Sequence, residues 1–468
     1  MTKIKFGTDG WRAIIAQDFT VDNLARVTEA TAIWLNKNFS NPTVVVGHDC
    51  RFGGQLFAET TSKVLIANGI KVFLAKDFVS TPMISLGAVR LNTSLGIIIT
   101  ASHNPPSYNG FKLKGNYGGP LVPEKIQEIE DIIPENANQN YTSIDLNESE
   151  DKGLLEYTNL EDMYINHVMA SFDINAIKTS NLKLAYDSMF GAGKRVMKRL
   201  FPEIIHLHDD DNPGFHGQAP EPIHKNLLEF SELIKNDGKI NCGLCTDGDA
   251  DRIGLYDSKG NFVDSHHIIL LLIKYLVEEK KYEGKIVVAF SVTPRIQKLA
   301  KHYNLPLQVT QIGFKYIAGL MVSEDVILGG EESGGIAIKG HIPERDGIWI
   351  GLTIWEYMAK SGKTLEQLIE DLYELTGPFA FERNDLHLTE ELKQKVIKGC
   401  KDDIYKNFGP YKVERTETID GWKYHFNNDQ WLMIRASGTE PVLRLYGESD
   451  TLENTRKLLK TSQEILLS

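Results

Sequence analysis

The 468-residue sequence contains few cysteines. Its four cysteines, Cys50, Cys242, Cys245 and Cys400, are too few and too scattered to form a disulfide framework, which is typical of a protein from a reducing compartment. Cys242 and Cys245 have the spacing of a redox or zinc pair, but they lie in an apolar run, NCGLC, without a second ligand pair nearby. We therefore predict that they are buried strand residues.

The sequence also lacks long hydrophobic runs and an excess of positive charge. The amino-terminal segment MTKIKFGTDG has no apolar core of a signal peptide, and apolar runs such as 268–272 are far shorter than a membrane span. The net charge of −12 would repel nucleic acid and an anionic membrane surface. We therefore predict a cytoplasmic protein, monomeric or homodimeric, whose partner is neither a nucleic acid nor a membrane.

Two common nucleotide-binding signatures are missing. No glycine-rich run ends in Lys followed by Ser or Thr, which excludes a Walker loop. Gly191 and Gly193 form too incomplete a pattern for a dinucleotide site, and we interpret them as a strand-to-helix turn. The hydrophobic share of 42% is nevertheless sufficient for packed cores, and a chain of this length predicts three or four domains.

The order of apolar segments predicts an α/β protein. Buried strands alternate with amphipathic helices in three successive units, which is typical of mostly parallel sheets covered by helices. A polar stretch at 135–153 is interpreted as a surface connection between the first two units. Close strands and two helices beyond residue 375 predict a smaller α+β domain. The expected domains are residues 1–153, 154–257, 258–375 and 376–468.

A candidate nucleophile lies in the segment TASHNPPSYNGFK at 100–112. Ser102 follows a predicted strand, where parallel sheets bind ligands, in a stretch whose prolines and small residues predict a stiff, exposed loop. A serine hydroxyl needs a neighbour that removes or coordinates its proton, and His103 or Lys112 could supply that help. The alternative interpretation is a proline-stiffened turn with a capping serine.

A candidate metal site follows the strand CGLCTD. Asp247, Asp249 and Asp251 alternate along a short loop, so their side chains are expected on one side. This much like charge is costly without a cation, and hard oxygen ligands indicate Mg²⁺ or Ca²⁺. An EF-hand is a poor fit because Arg252 and Ser258 occupy positions that need Gly and Glu. Few ligands leave room for phosphate oxygens, which favours Mg²⁺; the alternative is a solvated acidic turn.

Two further polar segments are candidates for substrate binding. In GGEESGG at 329–335, followed by KGHIPERDG, Glu331 and Ser333 offer an acceptor and a donor of the kind that bind sugar hydroxyls. In RASGTEP at 435–441, Arg435 can hold a phosphate through two hydrogen bonds. The residues around it add hydroxyl and backbone donors, namely Ser437, Gly438 and Thr439.

Taken in order, these segments resemble the α-D-phosphohexomutase superfamily. The resemblance covers the whole chain and matches the phosphoserine, metal, sugar and phosphate loops of the superfamily with TASHNP, DGDADR, GEES and RASGTEP. It implies four domains around a central cleft, the first three alike and the fourth smaller. It also implies an enzyme that moves phosphate between the 1- and 6-oxygens of a hexose, with Mg²⁺ and a hexose 1,6-bisphosphate as cofactors.

The resemblance also implies residue roles. Ser102 is expected to be phosphorylated and to ligate the metal together with the three aspartates. FGTDGWR at 6–12 is similar to the segment that brings an arginine to the serine, which assigns Arg12, and Lys112 matches a candidate general acid or base. Substrate binding is expected from residues in the matched loops and close to them, namely Arg252, Gly313, Glu331, Ser333, Arg345, Arg435, Ser437, Gly438 and Thr439.

Within the superfamily, the sugar loop favours glucose. GEES and QIGFKYI at 311–317 resemble the phosphoglucomutase versions more than the GEMSGH form of enzymes acting on both mannose and glucose. Gly335 stands where that form has a histidine, so His341 and Arg345 are the candidates for the second proton-transfer group. The open alternatives are a phosphomannomutase or bifunctional enzyme, a sugar phosphatase that uses the same serine and metal, and a catalytically silent sugar-phosphate binder.

Overall fold

The first unit of the computed structural model, which describes residues 3–436 and 442–467, is a six-stranded sheet with helices on both faces. The strand order is β1-β5-β4-β2-β3-β6, in which β4, β2, β3 and β6 are parallel and β5 runs antiparallel to both of its neighbours, β4 and β1. Its elements are β1 Trp11–Ile14, α1 Val21–Asn38, β2 Thr43–His48, α2 Gly54–Ala67, β3 Lys71–Ala75, α3 Thr81–Arg90, β4 Leu95–Ile99, β5 Tyr108–Gly115, α4 Pro123–Glu130, α5 Leu146–Asp151 and β6 Leu155–Thr158.

The second unit contains a five-stranded sheet in the order β11-β10-β9-β7-β8. Strands β7, β8 and β9 are parallel, whereas β10 returns antiparallel to β9. Its elements are α6 Leu160–Ser171, α7 Ile174–Thr179, β7 Leu184–Asp187, α8 Lys194–Leu200, β8 Ile205–Leu207, α9 Leu228–Asp237, β9 Cys242–Thr246, β10 Ile253–Tyr256 and β11 Phe262–Val263. Cys242 and Cys245 are buried in β9 as free thiols, which confirms the prediction for them.

The third unit has a four-stranded sheet in the order β13-β12-β14-β15. Its elements are α10 Ser265–Glu278, β12 Lys285–Ala289, α11 Ile296–His302, β13 Leu307–Thr310, α12 Phe314–Ser323, β14 Val326–Gly330, β15 Ile336–Ile338, α13 Gly347–Ser361 and α14 Leu365–Thr376. Asp264 caps α10 and Asp346 caps α13 through their side chains, which accept hydrogen bonds from backbone N–H groups of the first turn.

The fourth unit is smaller and mostly antiparallel, with the sheet order β16-β22-β21-β20-β19. Its elements are β16 Ala380–His387, α15 Glu390–Lys401, β17 Asn407–Phe408, β18 Tyr411–Lys412, β19 Arg415–Glu417, β20 Trp422–His425, β21 Trp431–Ala436, β22 Val442–Ser449 and α16 Leu452–Leu467. Three α/β units and a smaller α+β unit confirm the predicted architecture.

Strand pairing moves two of the predicted domain boundaries. The segment 135–153 is not a simple connection, because it contains a 3₁₀ helix and α5, and β6 after it pairs with β3 of the first sheet. Strand β11, predicted to open the third domain, pairs with β10 of the second sheet. We therefore propose that the first two units end after Thr158 and after Val263.

The hydrophobic cores do not follow the four units one by one. One continuous core runs from α3 of the first unit through the second unit to α13 and α14 of the third. The fourth unit has a separate core and contacts the third through a small cluster of Phe290 with Trp431, Met433 and Tyr446. The first three units therefore form one packed body to which the fourth is attached. Among the described residues, no helix is long and apolar enough to cross a bilayer.

Candidate active site

Ser102 lies just after β4, in a turn that faces the second unit. Its Oγ donates to Asp247 Oδ2 at 2.6 Å, and the His103 ring lies 3.3 Å away through Nδ1. Ser102 is 1% exposed, so the predicted exposure is wrong for the serine itself, although Pro105 and Ser107 of the same loop are exposed. Burial follows from the close approach of the loop after β9, since a Cβ at Gly248 would lie 2.6 Å from the Ser102 carbonyl oxygen.

The three aspartates of the loop between β9 and β10 converge. All three are fully buried, and one carboxylate oxygen of each lies within 4.8 Å of the others. Asp247 Oδ1 accepts from the backbone N–H groups of Asp251 and Arg252, at 2.9 and 3.0 Å, which fixes its orientation. Burial, together with the charges of Asp249 and Asp251, raises the pKa of Asp247 well above its usual value.

This carboxylate set fits a divalent cation. Asp249 Oδ1 and Asp251 Oδ1 are buried without a hydrogen-bond partner, although a buried anionic oxygen is costly unless it is paired. A hard cation would satisfy both oxygens and relieve the mutual repulsion of the trio. Asp247, Asp249 and Asp251 are thus the residues that would hold Mg²⁺.

A cationic pair lies on the other side of the trio. Lys112 Nζ contacts Asp249 Oδ2 at 2.8 Å, Asp251 Oδ2 at 3.1 Å and Asp9 Oδ2 at 2.9 Å. Burial alone would lower the pKa of Lys112, but these carboxylates outweigh it and raise the pKa above its usual value. Arg345 Nη2 contacts Asp251 Oδ2 at 2.7 Å and also Asp9. Lys112 is therefore a charged ammonium group, which holds negative charge at the site.

Arg12 and His103 flank the serine. Arg12 Nη1 donates to Asn104 Oδ1 at 2.6 Å, which ties β1 to the serine turn. Burial and the neighbouring cations, of which Arg252 contributes most, lower the pKa of His103 well below its usual value. The His103 ring is therefore neutral beside the hydroxyl.

The predicted sugar loop lies next to this centre. Glu331 Oε1 accepts from the Gly313 backbone N–H at 2.9 Å, which joins the two segments that resemble phosphoglucomutases. A Cβ at Gly335 would lie 2.5 Å from Arg345 Cδ, so a side chain at 335 would displace Arg345. The absence of a histidine at 335 is thus matched by an arginine that packs over the glycine.

A cleft of about 830 Å³ lies between the second, third and fourth units, and its lining does not include the aspartate trio. Ser333 and Glu332 line it together with Arg383 of β16, and Arg383 contacts Glu332 at 3.4 Å. Arg252 approaches the same region, with Nη1 3.9 Å from Glu221 Oε1. Ser333 therefore faces a space large enough for a hexose phosphate.

Two predicted residues have other partners. Arg435 Nε contacts Asp420 Oδ1 at 3.0 Å, and Asp420 also accepts from the Ile312 N–H beside Gly313. The other predicted phosphate-loop residues, Ser437, Gly438 and Thr439, lie outside the described residues. His341 is not brought to the serine, because its Nε2 contacts Asp346 Oδ2 at 3.0 Å and its ring stacks on Trp349. Of the two proposed substitutes for the histidine, only Arg345 reaches the aspartates.

Several site residues were missed by sequence reasoning. Asp9 bridges Lys112 and Arg345, and it could have been noticed because it lies in the quoted FGTDGWR segment. Thr81 donates to Asp249 Oδ2, and Arg51 donates to the Ser102 carbonyl oxygen. Neither of these two has a local signal in the sequence, because both act across units or between distant turns.

Comparison with known proteins finds matches in each of the four units of the chain. Family models of phosphoglucomutase/phosphomannomutase match residues 3–140 (alpha/beta/alpha domain I), 162–260 (domain II), 264–376 (domain III) and 388–461 (C-terminal domain). A phosphoglucosamine mutase of Methanococcus maripaludis is 30% identical over 91% of this chain and 92% of the relative. The chain belongs to the phosphoglucomutase/phosphomannomutase family. It is therefore an enzyme of the phosphohexomutase type.

Two further comparisons extend over nearly full length. A phosphoglucomutase/phosphomannomutase of Thermococcus kodakarensis is 29% identical, covering 98% of both chains. A crystal structure of a Thermus thermophilus protein, assigned as a phosphomannomutase, superposes with a TM-score of 0.88 at 32% identity and covers 100% of both chains. The names of these relatives differ in the hexose, so the family assignment leaves the sugar open.

Proposed function

We propose that this phosphohexomutase interconverts hexose 1-phosphate and hexose 6-phosphate, with α-D-glucose as the preferred hexose. A phosphoserine at Ser102 and a hexose 1,6-bisphosphate are the proposed intermediates. The observation that carries the proposal is the 2.6 Å contact between Ser102 Oγ and Asp247 Oδ2, in a buried carboxylate trio with two unpartnered oxygens. A nucleophile beside a cation site is the arrangement that phosphoryl transfer requires.

In the proposed reaction the phosphoryl group leaves Ser102 Oγ as its P–O bond breaks, and a P–O bond forms to the free sugar hydroxyl. The hydroxyl proton passes to a neighbouring base, and the Ser102 oxygen takes up a proton as it leaves. The resulting bisphosphate turns over and returns its other phosphate to Ser102. Bound Mg²⁺ would neutralise charge on the transferring group. Lys112 and His103 are the proposed proton-transfer residues, and Arg12 and Arg345 hold negative charge.

We propose that substrate contacts come mainly from the third and fourth units, with Arg252 added from the second. Glu331 and Ser333 would bind sugar hydroxyls, with Gly313, Arg252 and Arg345 around them. Arg435 and residues 437–439 would hold the phosphate that is not reacting, sharing Arg435 with Asp420. Since the fourth unit has its own core, closure onto the substrate is expected to exclude water.

The hexose is the least constrained part of the proposal. The GEES and QIGFKYI segments favour glucose, and Gly313 and Glu331 in these segments form a hydrogen bond. Glucosamine is the second candidate, because a relative 30% identical over 91% of this chain is named a phosphoglucosamine mutase. Mannose is the third, as it occurs in the name of the family.

The test is an assay on the 1-phosphates of glucose, mannose and glucosamine with Mg²⁺ and a trace of the 1,6-bisphosphate. ³¹P NMR would follow the 6-phosphate and inorganic phosphate together. We expect the isomer as product, fastest for glucose, and none with Ser102→Ala. Release of inorganic phosphate would replace the mutase with a phosphatase, and unchanged ligand would indicate a silent binder. Retention of mutase turnover by Ser102→Ala would contradict the role of the serine.

We propose the cytoplasm as the compartment and a monomer or homodimer as the assembly. The low cysteine content and the net charge of −12 support a small-molecule substrate in a reducing compartment. Size-exclusion chromatography with light scattering would separate monomer from dimer.

A further inference from the structure

Arg51 holds the turn that carries Ser102. The residue follows β2, is 2% exposed, and directs its guanidinium at four backbone carbonyl oxygens. Nη2 donates to the carbonyls of Ser102 and, at 2.7 Å, of Asn104. Nη1 donates to the carbonyls of Pro105 and Tyr108 at 3.0 and 3.2 Å. One side chain thus spans the turn from the serine to the start of β5.

Arg51 is itself fixed in place. Asp49 Oδ1 accepts from the Arg51 backbone N–H at 2.9 Å, and Asp49 Oδ2 lies 3.4 Å from Arg51 Nε. Thr100 donates to the same carboxylate and accepts from the Ser102 N–H at 2.9 Å, which links this anchor back to the serine. The ring of Phe215, from the second unit, covers the guanidinium at 4.9 Å.

The turn needs such support because its backbone is in a sparsely populated conformation. Ser102 has a φ of 53°, in the left-handed region that L residues other than Asn and Asp seldom adopt. A residue of this kind persists only where its surroundings determine it. In the left-handed conformation the Ser102 Oγ reaches Asp247, so the backbone angle sets the distance between the nucleophile and the metal loop.

We propose that Arg51, anchored by Asp49 and Thr100, is a positioning residue for phosphoryl transfer. It acts through the backbone of residues 102–108 and holds the Ser102 hydroxyl at the carboxylate trio, without touching the substrate. The inference rests on the proposed role of Ser102 as the phosphorylated residue. A planar fork of donors suits four carbonyls better than the single ammonium of a lysine, so Arg51→Lys should keep the charge and lose the geometry.

The experiment compares Arg51→Lys with Arg26→Lys in the full chain. Arg26 is a matched control, because it is 9% exposed in the same unit and also donates to a backbone carbonyl, that of Pro134 at 2.7 Å. For Arg51→Lys we expect kcat to fall roughly 100-fold, with KM for glucose 1-phosphate unchanged, as for a nucleophile displaced by about an ångström. The rate at which glucose 1,6-bisphosphate phosphorylates Ser102, followed by intact mass in single turnovers, should fall by the same factor.

For Arg26→Lys both rates should stay at the wild-type value even where its melting temperature falls. In Arg51→Ala, added guanidinium should restore part of the phosphorylation rate, which a general loss of folding would not allow. If Arg51→Lys does not fold, this rescue in Arg51→Ala, or in Arg51→Gly, decides the question.

Distinct outcomes separate the two hypotheses. If wild-type protein forms no phosphoserine at residue 102, the proposed function fails, whatever Arg51 does. If wild-type protein is phosphorylated there and Arg51→Lys is phosphorylated at the same rate, only the positioning role is overturned. A parallel loss of rate and stability in both lysine variants, without rescue by guanidinium, would also overturn it.

Discussion

Two of the buried acidic centres in this molecule differ in how their oxygens are satisfied. Asp346, at the start of α13, is 1% exposed, and both of its oxygens accept from the Tyr164 hydroxyl at 2.9 and 2.8 Å. His341 Nε2 and the Trp349 backbone N–H also donate to it. By contrast, one oxygen each of Asp249 and Asp251 has no partner. Full pairing is typical of a structural carboxylate, whereas open oxygens indicate a ligand site.

We call the aspartate trio the open centre, because two of its oxygens have no partner, and Asp346 with its donors the paired centre. The largest effect should come from removing a negative charge from the open centre. Asp249→Asn removes one negative charge and one cation ligand, so we expect kcat for the mutase reaction to fall roughly 100- to 1,000-fold. Steady-state rates over a Mg²⁺ titration would measure the loss. Asp346→Asn is the matched control, and an equal loss in both variants would remove the functional distinction between the centres.

Metal removal should affect only the open centre. Mg²⁺ that binds the folded trio stabilises it by about 2.7 kcal/mol when the free ion is about 100-fold above its Kd. Chelation should therefore lower the melting temperature of wild-type protein, and added Mg²⁺ should restore it. Differential scanning calorimetry should show no such response in Asp249→Asn, while Asp346→Asn should respond like wild type.

The paired centre should respond in stability instead. Asp346→Asn leaves donors from Tyr164, His341 and the α13 backbone competing for fewer acceptors, which should cost about 1–3 kcal/mol of unfolding free energy. Denaturant unfolding would measure it. A neutral effect on stability would mean that the Asp346 pairing contributes little to the fold.

The smallest effect is a pH dependence of the paired centre. Arg90 donates to His167 Nδ1 at 3.1 Å, and His167 Nε2 lies 3.1 Å from His341 Nδ1, so a neutral His167 completes the chain to Asp346. Burial, then His341 and Arg90, lowers the pKa of His167 from 6.5 to about 4.

Because the unfolded chain binds this proton first, His167 contributes stability above pH 6.5 that is lost as the pH falls towards 4. Unfolding curves over this range should show a weaker decline in His167→Gln than in wild-type protein. Identical slopes in the two proteins would exclude His167 as a source of acid sensitivity.

Much of the fold could be predicted because its strands are continuous apolar runs. Strands β2, β4 and β12 are buried on both faces and read as Val- and Ile-rich segments. Strand β5 could not be predicted, because its Lys112 and Lys114 look like surface residues. Both are fully buried, since carboxylates from distant segments pair with them, Asp9 among these for both lysines.

The residues of the candidate site also differ in whether the sequence could predict them. Asp247, Asp249 and Asp251 are adjacent in sequence, so their convergence follows from one loop and could be predicted. Arg51 could not, because its contacts with residues 102–108 depend on how β2 and β4 lie side by side in the sheet. His341 looked equally suitable from its position in the sequence, but Trp349 and Asp346 hold it elsewhere.

The contact between the Ser102 carbonyl oxygen and Gly248 has a consequence for how this enzyme can change. Two main chains meet there without an intervening side chain, and a Cβ at residue 248 would lie 2.6 Å from the Ser102 carbonyl oxygen. Even a methyl group at 248 would act as a spacer and pull the reacting atoms apart. Substitutions in the segments proposed to bind the sugar phosphate can therefore change specificity without touching this junction, whereas added bulk at residue 248 would separate the serine from the metal loop.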